Sequence, residues 1–266
     1  MVIDVHTHVF PDVLAQRALC SISRSASAPY YADGTVAGTQ ERLLQWKVDA
    51  QVALHIATKP TQQTTINNWA ASIQTDRLFC FGSIHPDAKN AMEEIRRIRE
   101  LGLYGIKLHP DYQGFFADEK RMMPLYDRMQ EMGLPLLFHA GWDPYSPDCT
   151  HATAASIAKI ATCFPDLTII AAHMGSLNGY DDTERYLLEA DNLYLDTSMS
   201  SVYCKPEQFS RIIAAKGADH ILFGSDCPWS RADRERDFLL QHANLTESEA
   251  EMILSQNAIR VLHLPL

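Results

Sequence analysis

The sequence predicts an α/β fold, a (β/α)8 TIM barrel formed as a single domain over residues 1–266, from three observations. Short apolar runs rich in β-branched residues recur along the chain, and segments with helical apolar spacing separate them. The length of 266 residues is usual for one such barrel. An open, doubly wound α/β sheet is the alternative, because it uses the same alternation of elements.

Eight apolar runs are the predicted strands. In chain order they cover residues 1–6, 51–58, 78–85, 103–109, 134–141, 167–175, 192–198 and 220–226. No segment rich in Gly, Ser or Pro divides them into two groups. The strands of a (β/α)8 barrel run parallel, so we expect their carboxyl ends to meet at one face.

Residues 87–102 show the clearest helical pattern, because four apolar side chains share one face: Met92, Ile95, Ile98 and Leu101. We expect Asp87 to cap this helix and Glu93 to pair with Arg97, four residues further on. Further helices are predicted for residues 119–132, 151–164, 182–190, 206–216 and 231–242. The sequence TESE at 246–249 predicts a capping box that opens a final helix.

The connection after the first strand, residues 9–38, is long and rich in Ser, Ala, Tyr and Gly. It has two interpretations. It is either a lid or substrate loop over the barrel mouth, or an inserted irregular loop.

Charge and hydropathy limit the expected partners. The formal net charge is −10, and nucleic acid binding depends on clustered Lys and Arg, so we expect no nucleic acid partner. No run approaches about 18 apolar residues, which predicts no membrane partner. Asp4 and His6 stand where a signal peptide would need a basic start and an apolar core, so a cytoplasmic location is expected. The six cysteines lack a CxxC pair, which favours reduced thiols.

Ionisable side chains recur at the carboxyl ends of the predicted strands: His6, His8, His85, His109, His139, His173 and Asp226. A single strand-end histidine is usually a hydrogen-bonded structural residue, but burying so many is costly unless they share partners. Side chains alternate along a strand, so His6 and His8 share a face and can reach one cation. Neutral imidazoles with a carboxylate are typical ligands of zinc. The pattern therefore predicts a metal site formed by His6, His8, a third histidine and Asp226.

Several stretches resemble the amidohydrolase superfamily, and within it the amidohydrolase-related branch that also holds aminocarboxymuconate-semialdehyde decarboxylase-like enzymes. They are DVHTH at 4–8, GIKLHP at 105–110, PLLFHAG at 135–141, AAHMG at 171–175, YLDTS at 194–198 and FGSDCPW at 223–229. The resemblance implies that His139 is the third histidine ligand. It also implies that His173 polarises the metal-bound water or a substrate oxygen, that Asp226 accepts the proton, and that Asp4 is a support.

Lys107 leaves two alternatives open. Some members of the superfamily carry a carboxylated lysine on the fourth strand that bridges two metals, and His139 and His173 would complete that second site. In the resembling branch this lysine goes with a single-metal centre, so we expect one divalent ion, zinc, rather than two. Lys107 as an amine, and His109, would then contact substrate.

Two tryptophans and one cysteine each have two alternative roles. Trp229 and Trp142 follow strand ends and either stack on a substrate ring or anchor loops. Cys227 follows Asp226, but the sequence places no base beside it, so a packed thiol is expected rather than a nucleophile.

The leading hypothesis for function is a metal-dependent hydrolase. Its metal-activated water would attack an amide, ester or lactone carbonyl of a small-molecule substrate. The alternative is a metal-dependent non-oxidative decarboxylase of an aromatic or unsaturated carboxylic acid, which the resembling branch also contains. A non-enzymatic metal-binding scaffold is disfavoured because the ligand set looks complete. The resemblance also implies a homodimer.

Overall fold

Parallel strands close into a barrel in the computed structural model, which describes residues 1–26 and 28–266. Within these ranges the eight strands are β1 (Ile3–Thr7), β2 (Ala50–Leu54), β3 (Leu78–Phe81), β4 (Ile106–Leu108), β5 (Leu136–Phe138), β6 (Ile169–Ala171), β7 (Leu193–Asp196) and β8 (Ile221–Leu222). Consecutive strands pair from β1 to β3 and from β4 to β8. Bridges between Gly82 and Ile106 and between Thr7 and Cys227 close the ring. The (β/α)8 barrel is confirmed, and the open sheet is excluded.

Helices connect the strands, and every helix predicted from apolar spacing is present. They are α1 (Asp12–Ala26), α2 (Val36–Gln45), α3 (Gln63–Ile73), α4 (Ala91–Glu100), α5 (Pro110–Gln113), α6 (Met123–Glu131), α7 (Ala154–Cys163), α8 (Tyr180–Tyr186), α9 (Ser200–Tyr203), α10 (Pro206–Lys216), α11 (Ala232–His242), α12 (Glu247–Glu251) and α13 (Asn257–Leu262). The capping box is confirmed, because Thr246 and Glu249 exchange side-chain to backbone hydrogen bonds. No helix of the described residues has the length and apolarity to span a membrane.

Helix α4 begins later than predicted. Its first residue is Ala91, so Asp87 does not cap it. Asp87 lies in the preceding turn, where its carboxylate pairs with the guanidinium of Arg121. A partner distant in sequence therefore takes the side chain that was expected to cap the helix.

The buried face of α4 also differs from the prediction. Met92 is 45% exposed, whereas Glu94 is 1% exposed and accepts a hydrogen bond of 2.8 Å from Asn67 Nδ2. Arg97 pairs with Glu94 at 3.3 Å, and Glu93 lies near another arginine instead. The packed face of α4 includes the Glu94 carboxylate because α3 supplies a buried donor.

The first connection is largely helical. Residues 12–26 form α1 and residues 36–45 form α2, so the expectation of an irregular loop is wrong for both segments. Ser27 lies outside the described residues. The opening of the connection, from Val9 to Leu14, borders the barrel mouth.

An apolar floor lies beneath that mouth. A buried cluster joins six strands to the last helix, and its members include Ile3, Leu54, Phe81, Leu137, Ile170 and Val261. Its members on β1, β5 and β6 precede His6, His139 and His173 in sequence, so the cluster lies beneath these polar side chains. The barrel interior is therefore apolar below and polar above.

Strand β1 contains a bulge that lets it contribute side chains both to the apolar floor and to the cavity at the mouth. Asp4 pairs with Gln51 and Thr7 pairs with Ala53, so β1 has one more residue than β2 between these two pairs. Val5 packs in the apolar floor, and the adjacent His6 lines the cavity at the mouth. Strict alternation would place these neighbours on opposite faces, and the bulge removes that conflict.

Lys216 anchors the entry to β7. Its side chain is 7% exposed at the end of α10. The ammonium donates hydrogen bonds to the carbonyl oxygens of Leu187, Leu188 and Ala190 at 3.1, 3.3 and 2.7 Å. These carbonyls belong to the turn that follows α8, so one cation satisfies acceptors that the helix leaves open.

We expect Lys216→Met to lower the free energy of unfolding by about 2 kcal/mol, because buried carbonyls lose a charged donor. Thermal and urea unfolding monitored by circular dichroism measure this loss. Lys89→Met, at an exposed lysine, is the matched control and should change stability by less than about 0.5 kcal/mol. Equal stability of the two variants would contradict the anchoring role.

Candidate metal and substrate site

A cavity of about 490 Å³ opens at the carboxyl ends of the strands. All the site residues predicted from the sequence line it: His6, His8, Lys107, His109, His139, His173, Asp226 and Trp229. The structure thus brings together side chains that are up to 223 positions apart along the chain. The convergence follows from the barrel, whose parallel strands all end at this face.

His6 and His8 present the same ring nitrogen to Asp226. Their Nε2 atoms lie 3.5 and 3.1 Å from Asp226 Oδ1. The His8 Nδ1 lies 3.0 Å from the Leu54 carbonyl oxygen, which can only accept, so the proton of His8 is held at Nδ1. Its Nε2 lone pair therefore faces the site. A Cβ on Gly224 would lie 2.9 Å from the His6 Cβ, so a glycine there allows β1 and the segment after β8 to approach closely.

Asp196, at the end of β7, orients His6. Its Oδ2 lies 2.8 Å from His6 Nδ1, and its Oδ1 accepts from the backbone N–H groups of His173 and Ser198, both at 3.0 Å. Because a carboxylate accepts the Nδ1 proton, the Nε2 of His6 keeps its lone pair for a ligand. This carboxylate–histidine pairing is typical behind metal-binding imidazoles.

His139 and His173 face each other across the same centre. His139 Nδ1 lies 3.1 Å from His173 Nε2. The opposite nitrogens are held from outside, since His139 Nε2 lies 3.3 Å from the Trp142 carbonyl oxygen and His173 Nδ1 lies 2.8 Å from Ser198 Oγ. Each ring can therefore offer a nitrogen to an ion at the centre.

Burial keeps these imidazoles neutral. It lowers the pKa of His139 to about 3 and that of His173 to about 4, and it lowers the pKa of His6 well below its usual range. Burial alone would raise the pKa of Asp226, but the positive charge that the surrounding histidines carry when protonated acts in the opposite direction and places that pKa well below its usual range. Neutral imidazoles and an ionised carboxylate are the protonation states that divalent metals require.

The donors form two groups. His6, His173 and Asp226 have ligand atoms within 4.8 Å of one another, and so have His109, His139 and Asp143. The structure therefore places His173, rather than His139, with His6 and Asp226. The assignment of His139 as third ligand, and of His173 as a polarising group or second-metal ligand, stays a prediction.

Lys107 is 1% exposed and lines the cavity. Burial lowers its pKa to about 8, while the carboxylates of Asp196, Asp226 and Asp143 act in the opposite direction. The side chain is therefore mostly an ammonium at neutral pH. An ammonium suits an anionic substrate group better than it suits carboxylation, which requires the neutral amine.

Asp143 and Tyr112 belong to the cavity wall although the sequence analysis did not select them. Asp143 Oδ2 lies 3.5 Å from the Nε2 atoms of His109 and His139. The His109 ring is stacked between those of Tyr112 and His139, with centroid distances of 3.8 and 4.2 Å. His109 Nδ1 also accepts from Tyr112 N at 3.4 Å, so this histidine caps α5 as well as lining the cavity.

The remaining candidates separate clearly. Trp229 lines the cavity, and its contact with substrate stays a prediction. Trp142 anchors its loop, because its Nε1 donates to the Pro147 carbonyl at 3.2 Å.

Cys227 is fully buried, and burial raises its thiol pKa well above the usual range, as expected for a packed thiol. Asp4 accepts from the backbone N–H groups of His6 and Ser225 at 3.1 and 2.9 Å, which agrees with a support role.

Two of the central residues have a left-handed backbone. The φ angle is 57° at His173 and 70° at Asp226. Residues other than glycine rarely adopt this conformation, and such strain concentrates at functional sites. Neither residue could be recognised as strained from the sequence.

The residues that the sequence analysis missed left only partial signals. Asp196 stands in the quoted YLDTS stretch at a strand end, as the selected histidines do, and Asp143 lies four residues after His139. His55, which also lines the cavity, lies within the second predicted strand, residues 51–58, and directly follows β2 in the structure. Only the observed strand bounds place Asp196 and His55 at strand ends.

Known proteins support the fold over nearly the full chain. An uncharacterised TIM-barrel protein from Bordetella bronchiseptica is 22% identical with a TM-score of 0.77, and the match covers 99% of this chain and 98% of that one. A 5-carboxyvanillate decarboxylase from Sphingomonas paucimobilis is 16% identical with a TM-score of 0.70, covering 99% of both chains. A dihydroxybenzoic acid decarboxylase from Polaromonas, solved with bound manganese and the inhibitor 2-nitroresorcinol, is 18% identical with a TM-score of 0.72, covering 100% of this chain and 97% of that one.

The search of curated protein sequences finds no significant match. The family model Amidohydro_2, described as amidohydrolase, matches residues 3–264. That range includes every strand of the barrel and every residue of the site. The chain therefore belongs to the amidohydrolase family that this model describes.

Proposed function

We propose that this protein is a metal-dependent, non-oxidative decarboxylase of a small aromatic or unsaturated carboxylic acid. One observation carries the proposal: the converging donors of His6, His8 and Asp226 form the polar end of a cavity whose other walls are mainly apolar. The apolar walls fit the hydrocarbon body of such an acid, and the polar end fits its carboxylate. The decarboxylases among the structurally similar proteins support the same choice.

The donor set fits a divalent ion, because oriented neutral imidazoles converge on an ionised carboxylate. His6, His8 and Asp226 would hold the ion together with His139 or His173. When bound, the ion supplies a Lewis acid that withdraws charge from substrate oxygens. Zinc was expected from the ligand types, and the manganese in a structurally similar decarboxylase makes manganese an equal candidate.

Lys107 would bind the substrate, and His173 and Asp226 would transfer the proton. The Lys107 ammonium would bind a carboxylate oxygen of the substrate and hold it in the polar end. When the bond between the carboxylate and its carbon breaks, the electron pair stays on that carbon, which then takes a proton. His173 and Asp226, whose ligand atoms lie within 4.8 Å of each other, are the groups positioned to relay that proton.

The hydrolase expected from the sequence is the second candidate. One observation favours it: Asp226 is held in its ionised form by its two imidazole neighbours. An ionised carboxylate can take a proton from water as the water oxygen attacks a carbonyl carbon. The same residue would then pass the proton to the leaving group of an ester or lactone.

Product analysis separates the two candidates. We expect protein loaded with zinc or manganese to release carbon dioxide from members of a panel of aromatic and unsaturated acids, and Asp226→Asn to lose about 100-fold in rate. Chelation should abolish the reaction, and return of the ion should restore it. Acid release from esters or lactones, with no carbon dioxide from any acid, would favour the hydrolase.

We expect Asp196→Asn to weaken metal binding by about 10–100-fold. Three donors hold the oxygen at the Oδ1 position, so the amide nitrogen of Asn would face His6 Nδ1. That nitrogen donates, which moves the imidazole proton to Nε2 and removes the lone pair from the site. Competition with a chromophoric chelator measures the affinity.

Asp191→Asn is the matched control for that variant, because Asp191 is exposed and precedes the same strand. It should bind metal as the unmodified protein does. Unchanged affinity in folded Asp196→Asn would contradict the orienting role of Asp196.

A further inference from the structure

His55 is a buried polar side chain that the proposed reaction does not use. It directly follows β2, is 5% exposed and lines the cavity. Among the described residues, neither of its ring nitrogens has a hydrogen-bond partner. The nearby Leu54 carbonyl does not meet hydrogen-bond geometry with His55, and it already accepts from His8 Nδ1 at 3.0 Å.

Packing, rather than hydrogen bonding, holds the His55 ring. The ring lies against the indole of Trp69 from α3, with centroids 5.2 Å apart and planes tilted by 33°. A buried polar group without a partner is destabilising, so its position in a cavity wall calls for a partner from the cavity. The unmet hydrogen-bonding capacity of His55 therefore points to a ligand.

The surroundings of His55 define the chemistry of that ligand. The cavity lining includes the apolar side chains of Val9, Phe10, Leu14 and Ile66. Burial lowers the pKa of His55 to about 4, so the ring is neutral at pH 7 and offers one donor and one acceptor. A neutral ring gives no charge to pair with an anion, whereas a hydroxyl can bond to either nitrogen.

We propose that His55 is a specificity residue that binds an uncharged hydroxyl group on the substrate. This inference deepens the proposed function and rests on it, because it describes the acid as an apolar body with a carboxylate at the metal end. The hydroxyl would lie on the side of the cavity formed by residue 9 onward and α3. Thr65 lines the same wall but is exposed, so solvent already satisfies its hydroxyl.

Binding to matched ligand pairs tests the proposal by calorimetry on metal-loaded protein. The acid pairs are benzoate with 3- and 4-hydroxybenzoate, and cinnamate with 4-hydroxycinnamate. The neutral pair is 4-ethylphenol with ethylbenzene, and ligand-observed NMR measures the binding of these two compounds. We expect at least one hydroxylated probe to bind about tenfold more tightly than its parent, and His55→Phe to abolish this preference without weakening binding of the parent.

Two further measurements exclude a purely structural role. Since His55 makes no hydrogen bond in the fold, His55→Phe should unfold at the same temperature as the unmodified protein or a few degrees higher. A structural histidine would instead give a lower unfolding temperature. Thr65→Val, the matched control, should keep the hydroxyl preference.

The outcomes distinguish this inference from the proposed function. A hydroxyl preference that survives in His55→Phe, or the absence of any preference in the unmodified protein, overturns the role of His55. If His55→Phe loses the preference for 4-ethylphenol over ethylbenzene, the role of His55 is supported even when no acid releases carbon dioxide. These two probes carry no carboxylate, so their binding does not depend on the proposed reaction. Failure of decarboxylation alone overturns only the proposed reaction.

Discussion

The polar centre of this barrel depends on the hydrogen bonds of one buried carboxylate, that of Asp196. The side chain is fully buried, and such a group is costly unless donors surround it. The donors come from His6 on β1 and from the backbone at His173 and Ser198, so the same bonds hold three separate chain segments together. The same carboxylate therefore orients the His6 imidazole and ties β1 to the ends of β6 and β7.

Burial sets the chemistry of the site as well as its shape. Burial at the strand ends keeps the imidazoles of His6, His139 and His173 neutral. The same burial would raise the pKa of Asp226, but the positive charge that the surrounding histidines carry when protonated places that pKa well below its usual range. Hydrophobic packing thus produces the mixture of neutral nitrogen and anionic oxygen donors that a divalent ion selects.

Much of the fold and the membership of the site could be predicted from the sequence. The strands follow from apolar runs, and His6 and His8 share a site because side chains alternate along a strand. What a sequence pattern does not contain is the choice of nitrogen on each ring. That choice depends on Asp196, which is 190 positions from His6, and on the carbonyls of Leu54 and Trp142.

The errors in prediction have the same physical origin. Asp87 was expected to cap the helix, but α4 begins only at Ala91, and Arg121 pairs with the Asp87 carboxylate from 34 positions away. Met92 was expected on the packed face, but that face includes Glu94, to which Asn67 provides a buried donor. His55 resembled an ordinary strand residue, since nothing in the run QVALHIAT shows that its ring would lack a partner. Each outcome depends on a tertiary contact, or on its absence among the described residues, and no local pattern carries that information.

The wall formed at the start of the first connection differs in kind from the rest of the site. The candidate metal donors lie at strand ends, where the strand pairing of the barrel fixes them, whereas Val9, Phe10 and Leu14 belong to a segment outside that pairing. Side chains there can be exchanged without breaking a strand pair or moving a donor. Substitutions in this segment can therefore change which substrates the cavity accepts without changing the reaction. Proteins with this architecture can acquire new substrates through changes in one surface segment.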